Sequence, residues 1–468
     1  MSDAAPPHPD TMAEPLASLA PLLTAWLPRQ RWFAGKGRPI TGLTPVTSTE
    51  LLPDGALLHL LLRVRQDGEH PGDCYQLLLG AQDSPPARLG PAFIGRPATG
   101  PLRGRAVHDA LADPRLATVL LERLRLPGRL GPLRFGREPR TNIPAGLAPR
   151  QLGAEQSNSS VVYGDAFILK LYRRIAPGLN PDLELPRALA RAGCTRVPAP
   201  AAWAEAELPG EGSELATLGV LQPFLAGSAD GWQLALGALG MAADFSACAR
   251  ALGQATAEVH RTLAAVLPTA GLDAARLDRL AAAMTRRLEA TAEAVPELRP
   301  YRSALGAAYA DLAASGTGGP VRRAQRIHGD LHLGQALRTP ADGRWSLIDF
   351  EGEPARPLAE RRRPQPVAQD IAGMLRSFDY AAAVGRAEGG SWAERAREAF
   401  CEGYARVHTD PREDPLLLRA HETDKAVYEV LYEARHRPDW LPVPMSAVRR
   451  LAARADGARR ERGTAAAP

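Results

Sequence analysis

The pattern of apolar and polar positions divides the chain into a mixed first half and a helical second half. Around residues 50–66 and 74–80, Leu and Val alternate with polar residues or form short apolar runs, as strands of a first α+β module would. Apolar residues recur at helical spacing over five stretches: 16–26, 185–192, 244–314, 368–405 and 415–433. The pattern therefore predicts an α+β fold whose C-terminal part is mostly helical.

A β-hairpin is predicted at residues 160–172. Two runs rich in β-branched and aromatic residues flank Gly164-Asp165, and glycine tolerates the positive φ of a tight turn. On the second strand, the two-residue period places Lys170 on one face with Ile168 and Tyr172. A helix is predicted after Asn180 as its cap, and Pro186 is expected to interrupt that helix within two turns.

Composition and charge exclude several classes of protein. The chain has 468 residues, of which 45% are hydrophobic and 23% charged, so it is neither disordered nor collagen-like. Its 57 basic residues are interleaved with 52 acidic ones, which predicts no nucleic-acid partner. No stretch approaches eighteen consecutive apolar residues and the N-terminus lacks a signal peptide, so we expect a cytoplasmic protein without a membrane partner.

Lysine is rare in this chain. Only Lys36, Lys170 and Lys425 occur, against 54 arginines. A chain with this bias is expected to keep lysine where a compact ammonium is needed and a planar guanidinium will not serve. These three positions are therefore candidate functional residues.

The strongest chemical signal is the stretch 326–335, RIHGDLHLGQ, followed by IDFEG at 348–352. Kinases position a hydroxyl with an Asp of a catalytic loop, and they hold magnesium with an amide of that loop and a second Asp on a D-F-G turn. Asp330 fits the first role, and Gln335 and Asp349 fit the second. Either motif alone could be an ordinary turn, but both in this order predict a site for ATP and Mg²⁺.

Lys170 precedes these motifs, as the phosphate-binding lysine of a kinase does. Glu184 is its predicted carboxylate partner, with Asp182 as the alternative. A polar loop before the hairpin, which lacks a G-x-G-x-x-G pattern, could still donate hydrogen bonds to ATP phosphates. Its candidate residues are Gln156, Ser157, Asn158 and Ser159.

Several long stretches resemble actinobacterial maltokinase, a family in the aminoglycoside-phosphotransferase-like branch of the kinase fold. The resemblance covers about residues 16–445 and includes WLPRQRWFAGKGR, QSNSSVVYGDAFILKLYRR, IHGDLHLGQ, IDFEGEPARPLAERR, DIAGMLRSFDYAA and YEVLYEARHRPDW. It implies a bilobal protein-kinase-like fold with an N-terminal α+β cap and a mostly helical C-lobe. It also implies the reaction ATP + maltose → ADP + maltose 1-phosphate, which feeds α-glucan synthesis.

The resemblance also implies a domain order. We expect disordered tails at 1–14 and 456–468, a cap subdomain at 15–100, an intermediate subdomain at 101–224 that completes the ATP-binding lobe, and a helical lobe at 225–455. Asp330 would be the base or orienter of the anomeric hydroxyl, and the backbone of Gln222 and Phe224 would bind adenine.

Sugar recognition is predicted to involve an aromatic and polar set, because a pyranose presents an apolar C–H face and a ring of hydroxyls. Tyr428 and Tyr432 fall at i, i+4 on one helix face. His332 is a further candidate, although it could instead order the catalytic loop. The remaining candidates are Arg376, Tyr380, Glu429 and Arg437.

Two other functions are left open. A related sugar or aminosugar kinase, such as a glucosamine kinase, would need carboxylates for an amine, which Glu429 and Glu433 could supply. A non-catalytic pseudokinase or scaffold is disfavoured because Lys170, Asp330 and Asp349 are all present. The resembled family is sometimes fused to or assembled with a trehalose synthase, so a separate trehalose synthase is left open as a partner, and we expect a monomer rather than an oligomer.

Overall fold

The computed structural model describes residues 13–68, 72–85, 89–153, 158–209, 214–316, 321–354, 356–385 and 391–465. The chain divides into two compact units, formed by residues 1–187 with 198–226 and by residues 188–197 with 227–468. Most strands lie in the first unit and most helices in the second, which confirms the predicted α+β class. Within the described residues, no helix is long and apolar enough to cross a membrane.

The first unit is built on two antiparallel sheets. Its helices are α1 (Ala13–Trp26), α2 (Pro114–Arg125) and the first part of α3 (Pro181–Arg191). Its strands are β1 (Ile40–Leu52), β2 (Leu57–Gln66), β3 (Asp73–Gln82), β4 (Phe93–Gly95), β5 (Ala106–Asp109), β6 (Gly128–Leu130), β7 (Leu133–Arg137), β8 (Pro149–Gln151), β9 (Asn158–Tyr163), β10 (Phe167–Tyr172), β11 (Arg174–Ile175), β12 (Ala202–Glu207) and β13 (Leu215–Pro223).

The first sheet has the order β1-β2-β3-β5-β4, with β11 also paired to β3. Trp26 and Trp32 are buried in its core, where their rings meet edge to face with centroids 5.7 Å apart. Lys36, the third member of this N-terminal cluster, is exposed. The two tryptophans therefore stabilise this module by packing, since aromatic rings bury large apolar areas.

The second sheet carries the predicted hairpin in the order β6-β7-β12-β13-β10-β9-β8. Gly164 and Asp165 both have positive φ, 54° and 50°, as a two-residue hairpin turn requires. Lys170 pairs with Ser160 on β9 and with Val220 on β13, so its strand is central. The hairpin prediction is confirmed.

The second unit is mostly helical. Its helices are α4 (Gly231–Gly240), α5 (Ser246–Val266), α6 (Ala274–Ala294), α7 (Arg302–Ala314), α8 (Leu358–Arg361), α9 (Ala368–Val384), α10 (Trp392–Ala405), α11 (Pro415–His436) and α12 (Pro442–Ala465). Its short strands are β14 (Ala229–Asp230), β15 (Ala270–Gly271), β16 (Arg323–Ala324), β17 (Ala336–Arg338) and β18 (Trp345–Leu347). Helix α11 packs against α6, α7, α9 and α12, so its side chains face several directions.

Three details differ from the sequence prediction. Helix α3 continues through Pro186 to Arg191 although proline removes one helical hydrogen bond, because the buried face of the helix outweighs that loss. Helix α1 begins at Ala13, inside the predicted N-terminal tail. Helix α12 runs to Ala465, inside the predicted C-terminal tail, because this Ala/Arg-rich sequence has high helix propensity.

Candidate active site

The predicted catalytic loop lies between β16 and β17 in the second unit and is held by the first turns of α9. Asp370 of α9 accepts hydrogen bonds from the backbone N–H groups of His328 and Gly329, each at 2.8 Å. The Gln369 side chain donates to the Gly329 carbonyl at 3.1 Å. A Cβ at Gly373 would stand 2.5 Å from the Leu331 carbonyl, so glycine allows α9 to approach the loop closely. Asp330 is therefore presented from a fixed backbone.

Asp370 is itself held by a buried chain of hydrogen bonds. His260 of α5 lies with Nε2 3.0 Å from Asp370 and Nδ1 2.9 Å from the Tyr404 hydroxyl. All three residues are buried. Buried partners that order a loop have no spacing signature of their own, so the sequence did not indicate a role for any of the three.

Lys425 of α11 forms an ion pair with Asp330, its Nζ 3.0 Å from Oδ1. Burial opposes ionisation of this carboxyl, but the adjacent ammonium prevails and lowers the pKa of Asp330 to about 2. The same carboxylate raises the pKa of Lys425 against the effect of burial. Only the rarity of lysine in the sequence marked Lys425 as a candidate, and the structure places it at the predicted catalytic aspartate.

Gln335 and Asp349, the predicted magnesium ligands, meet across a small sheet. β17 and β18 pair so that Ala336 lies opposite Leu347, which brings the residues at their ends together. Gln335 Nε2 donates to Asp349 Oδ2 at 2.7 Å, leaving the amide oxygen for another partner. Asp349 has φ 67°, a strained conformation that functional sites often retain. Amide and carboxylate oxygens are the ligands that a hard cation prefers, so this pair fits Mg²⁺.

His332 orders the loop that it belongs to. Its Nδ1 accepts a hydrogen bond from the Gly334 N–H at 3.1 Å and so caps the short turn Leu333–Gln335. Burial lowers the pKa of His332, which keeps the ring neutral near pH 7. This contact agrees with the alternative that His332 positions the catalytic loop.

In the first unit, Lys170 pairs at 2.9 Å with Asp182, the predicted alternative to Glu184. Asn180 caps α3 by accepting from the Asp182 N–H, so Asp182 sits in the first turn. Tyr172, on the same strand face as Lys170, donates its hydroxyl to the same Asp182 oxygen at 3.0 Å. The cap therefore orients Asp182 toward the strand as a partner of Lys170, and the role of Glu184 stays a prediction.

Of the residues predicted to contact the ATP phosphates from the polar loop, the structure describes Asn158 and Ser159. Gln156 and Ser157 lie outside the described residues. Ser159 is fully buried and its hydroxyl accepts from Arg173 Nε at 2.7 Å, so it does not offer itself to a phosphate, whereas Asn158 is partly exposed.

One of the two predicted adenine contacts is also already hydrogen-bonded within the protein. The Phe224 N–H donates to the Ala166 carbonyl at 2.9 Å, which removes it as an adenine donor. Gln222 remains a candidate.

The predicted sugar-binding tyrosines lie along one face of α11. Tyr428 and Tyr432 stack with centroids 6.2 Å apart, and Lys425 lies 5.0 Å from the Tyr428 ring. Arg437 continues the series, 5.5 Å from the Tyr432 ring and 4.9 Å from that of Trp440. A continuous series of aromatic rings and cationic side chains thus begins at the Lys425–Asp330 ion pair and runs along α11 toward its C-terminus.

The remaining predicted sugar contacts are engaged within the protein. Arg376 is buried and binds Glu429, with Nη2 2.7 Å from Oε2, and also Asp379. The Tyr380 hydroxyl donates to Glu433 at 3.3 Å, and Arg437 pairs with Glu433 as well. Arg376 and Glu429 thus neutralise each other in the interior, and their role as sugar contacts stays a prediction.

Two family models match the chain. The maltokinase N-terminal cap domain matches residues 26–113, and the phosphotransferase enzyme family matches residues 147–409. The chain is 33% identical over 335 residues to a glucosamine kinase of Streptacidiphilus jiangxiensis, covering 64% of this chain and 73% of that protein. It is 31% identical over 331 residues to a glucosamine kinase of Mycolicibacterium smegmatis, covering 64% and 78%.

Solved structures share the fold. A glucosamine kinase in complex with glucosamine, ADP and inorganic phosphate superposes with a TM-score of 0.66 at 24% identity, covering 92% of this chain and 98% of that one. A second glucosamine kinase crystal form gives 0.67 at 22% identity, covering 92% and 99%. The kinase-like fold predicted from the motifs is confirmed.

Proposed function

Because this chain belongs to the phosphotransferase enzyme family and is a sugar or aminosugar kinase, we propose that it phosphorylates maltose at the anomeric hydroxyl, using ATP. The products are ADP and maltose 1-phosphate, a donor for α-glucan synthesis. The single observation that carries the choice of sugar is that α11 presents aromatic side chains near Asp330, while its carboxylates are paired. Its aromatic face begins at the Lys425–Asp330 pair, whereas its carboxylates Glu429 and Glu433 are paired with arginines.

The low pKa of Asp330 indicates how it acts. A carboxylate with a pKa of about 2 is a weak base near pH 7, so it accepts a hydrogen bond from the attacking hydroxyl and orients it. Phosphoryl transfer through a loose transition state needs little prior deprotonation, so orientation suffices. The hydroxyl oxygen bonds to the γ-phosphorus and the bond between the γ-phosphorus and the β-phosphate oxygen breaks, which releases ADP. The hydroxyl proton passes late in the step through Asp330 to water as the phosphate ester forms. Lys425 holds Asp330 in place and adds positive charge.

Each of the two units supplies residues that we propose to bind ATP and Mg²⁺. Lys170, oriented by Asp182 and Tyr172, supplies an ammonium for the ATP phosphates. Gln335 and Asp349 would hold Mg²⁺, which neutralises phosphate charge when bound. Gln222 is retained as the adenine contact. The domain boundaries, the cytoplasmic location, the monomeric state and a trehalose synthase partner remain predictions.

The acceptor side favours a neutral disaccharide. An amine would be bound best by a free carboxylate, but Glu429 and Glu433 already accept hydrogen bonds from Arg376 and Arg437. Stacked Tyr428 and Tyr432 instead offer two neighbouring apolar faces, which suit the C–H faces of two linked pyranose rings.

An aminosugar kinase is the second candidate. Two curated relatives are named glucosamine kinases, and two further acids, Glu353 and Asp424, line the cavity that contains Asp330. Both acids form ion pairs, with Arg356 and Arg287 respectively. This candidate therefore requires an ammonium group to compete with an arginine for its carboxylate.

A sugar panel separates these functions. The purified protein is incubated with ATP, Mg²⁺ and maltose, glucosamine or glucose, and the product is identified by phosphorus NMR, with Asp330→Asn as the inactive control. Maltose-dependent ADP release with phosphate on an anomeric carbon is the expected result. Phosphate at position six of glucosamine would establish the second candidate instead. Absence of ADP release with every sugar would exclude both and favour a non-catalytic role.

A further inference from the structure

We propose that the Arg287–Asp424 ion pair, together with His421, is the specificity-determining wall of the acceptor pocket and binds hydroxyl groups of the sugar ring. This inference rests on the proposed function, since it places the acceptor in the cavity that contains Asp330. The cavity lies within the second unit. Residues that line it include Arg287, Asp330, His421, Asp424, Lys425 and Tyr428.

The spacing along α11 places the wall beside the reacting group. His421, Asp424, Lys425 and Tyr428 occupy positions i, i+3, i+4 and i+7, which fall on one helical face. Lys425 binds Asp330 directly, and Asp424 lines the same cavity as Asp330. Arg287 approaches from α6 and joins Asp424 across the cavity wall.

The ion pair is bidentate and retains hydrogen-bonding capacity. Asp424 Oδ1 accepts from Arg287 Nε at 2.9 Å, and Oδ2 accepts from Nη2 at 2.5 Å. A guanidinium has five N–H donors and a carboxylate has about four acceptor positions, so this bidentate contact leaves donors on Arg287 and acceptor positions on Asp424. A sugar hydroxyl can accept from the guanidinium while its neighbour donates to the carboxylate. Preorganised groups of this kind lose little entropy when they bind.

His421 adds to this wall a polar atom that is not hydrogen-bonded within the described part of the protein. The residue is buried, and its Nε2 has no hydrogen-bond partner among the residues that the structure describes. Burial lowers the pKa of His421 to about 4, so the imidazole is neutral near pH 7. A buried nitrogen without a partner costs free energy, and a hydroxyl or water in the occupied pocket would satisfy it.

The ion pair could instead have only a structural role and link α6 to α11. The test therefore measures kinetic constants that the loss of a purely structural ion pair would not change. Arg287→Gln and Asp424→Asn are compared with wild type for the KM of the sugar, the KM of ATP and kcat. The matched control is Arg250→Gln, which breaks the ion pair between Arg250 and Glu402 that links α5 to α10. Thermal melting verifies that each variant is folded, and Arg287→Lys replaces any variant that is not.

We expect both wall variants to raise the KM of the sugar by about 10- to 100-fold, because a site built to hydrogen-bond sugar hydroxyls loses affinity when one of its partners is removed. The KM of ATP should stay within twofold, kcat within about threefold, and the control should change none of them. Sugar KM values within twofold of wild type, or equal increases for sugar and ATP, would overturn the inference.

The sugar panel distinguishes a wrong choice of substrate from a wrong role for Arg287, Asp424 and His421. If glucosamine proves to be the substrate, the choice of maltose fails, yet the same KM comparison with glucosamine still decides the role of the wall. If wild type shows neither turnover nor sugar binding in saturation-transfer NMR, both proposals are refuted.

Discussion

The Lys425–Asp330 ion pair should control the pH dependence of turnover, and Lys425→Met removes its positive charge while keeping similar bulk. The charged atoms lie 3.0 Å apart and the side chains are 25% and 26% exposed. At that distance the attraction is about 1.4 kcal/mol in a water-like dielectric and about 5.5 kcal/mol at an effective dielectric of about 20. A value between these limits, about 2.8 kcal/mol, corresponds to roughly two pH units.

Without Lys425, the burial that opposes ionisation of Asp330 is no longer offset. We therefore expect its pKa to rise from about 2 to about 4. In the wild type this depressed pKa contributes stability above about pH 4, and the contribution is lost as the pH falls through about 2. In the variant, the carboxylate protonates within an experimentally accessible range.

The assay is kcat/KM for the sugar at saturating Mg-ATP, measured by chromatographic detection of ADP between pH 4 and 8. Wild type should show no acid limb from Asp330 in this range, whereas Lys425→Met should lose half of its plateau rate near pH 4. Lys425→Arg keeps the charge and should retain the wild-type profile shape. Circular dichroism at each pH verifies folding. Superimposable profiles for wild type and Lys425→Met would show that Lys425 does not set the pKa of Asp330.

Four further outcomes follow from the same contacts. Lys170→Met should raise the KM of ATP and reduce kcat by about a hundredfold or more, and steady-state kinetics with the KM of sugar as the internal control would detect it. Asp349→Asn should reduce turnover by about a thousandfold at limiting Mg²⁺ and raise the Mg²⁺ concentration needed for half-maximal activity, and an unchanged Mg²⁺ dependence would contradict its assignment as a ligand. Asp370→Ala removes the acceptor of the His328 and Gly329 N–H groups and the partner of the His260 ring, so urea unfolding should show a loss of about 3–6 kcal/mol in the free energy of unfolding, and a loss below about 1 kcal/mol would be inconsistent with these hydrogen bonds. Tyr432→Ala should raise the KM of maltose more than that of glucose, with little effect on melting, since the ring is 41% exposed; equal effects on both sugars would count against a second-ring contact.

Local sequence was sufficient where the signal depends on neighbouring residues. The Gly164-Asp165 turn and the alternation around Lys170 fix the hairpin, because turn geometry and the two-residue period are local properties. The order of Asp330, Gln335 and Asp349 was equally informative, since a short hairpin brings the ends of that stretch together.

Contacts between distant parts of the chain were decided only by tertiary structure. The sequence alone could not determine that Lys425 would bind Asp330, 95 positions earlier, or that Asp370 would hold the catalytic loop. Nor could it show that Arg376 would neutralise Glu429, because helical periodicity gives the face of a residue but not the element packed against it. The sequence therefore determined which chemical groups are present and their local geometry, and the packing of α9 and α11 decided which of those groups remain available to a substrate.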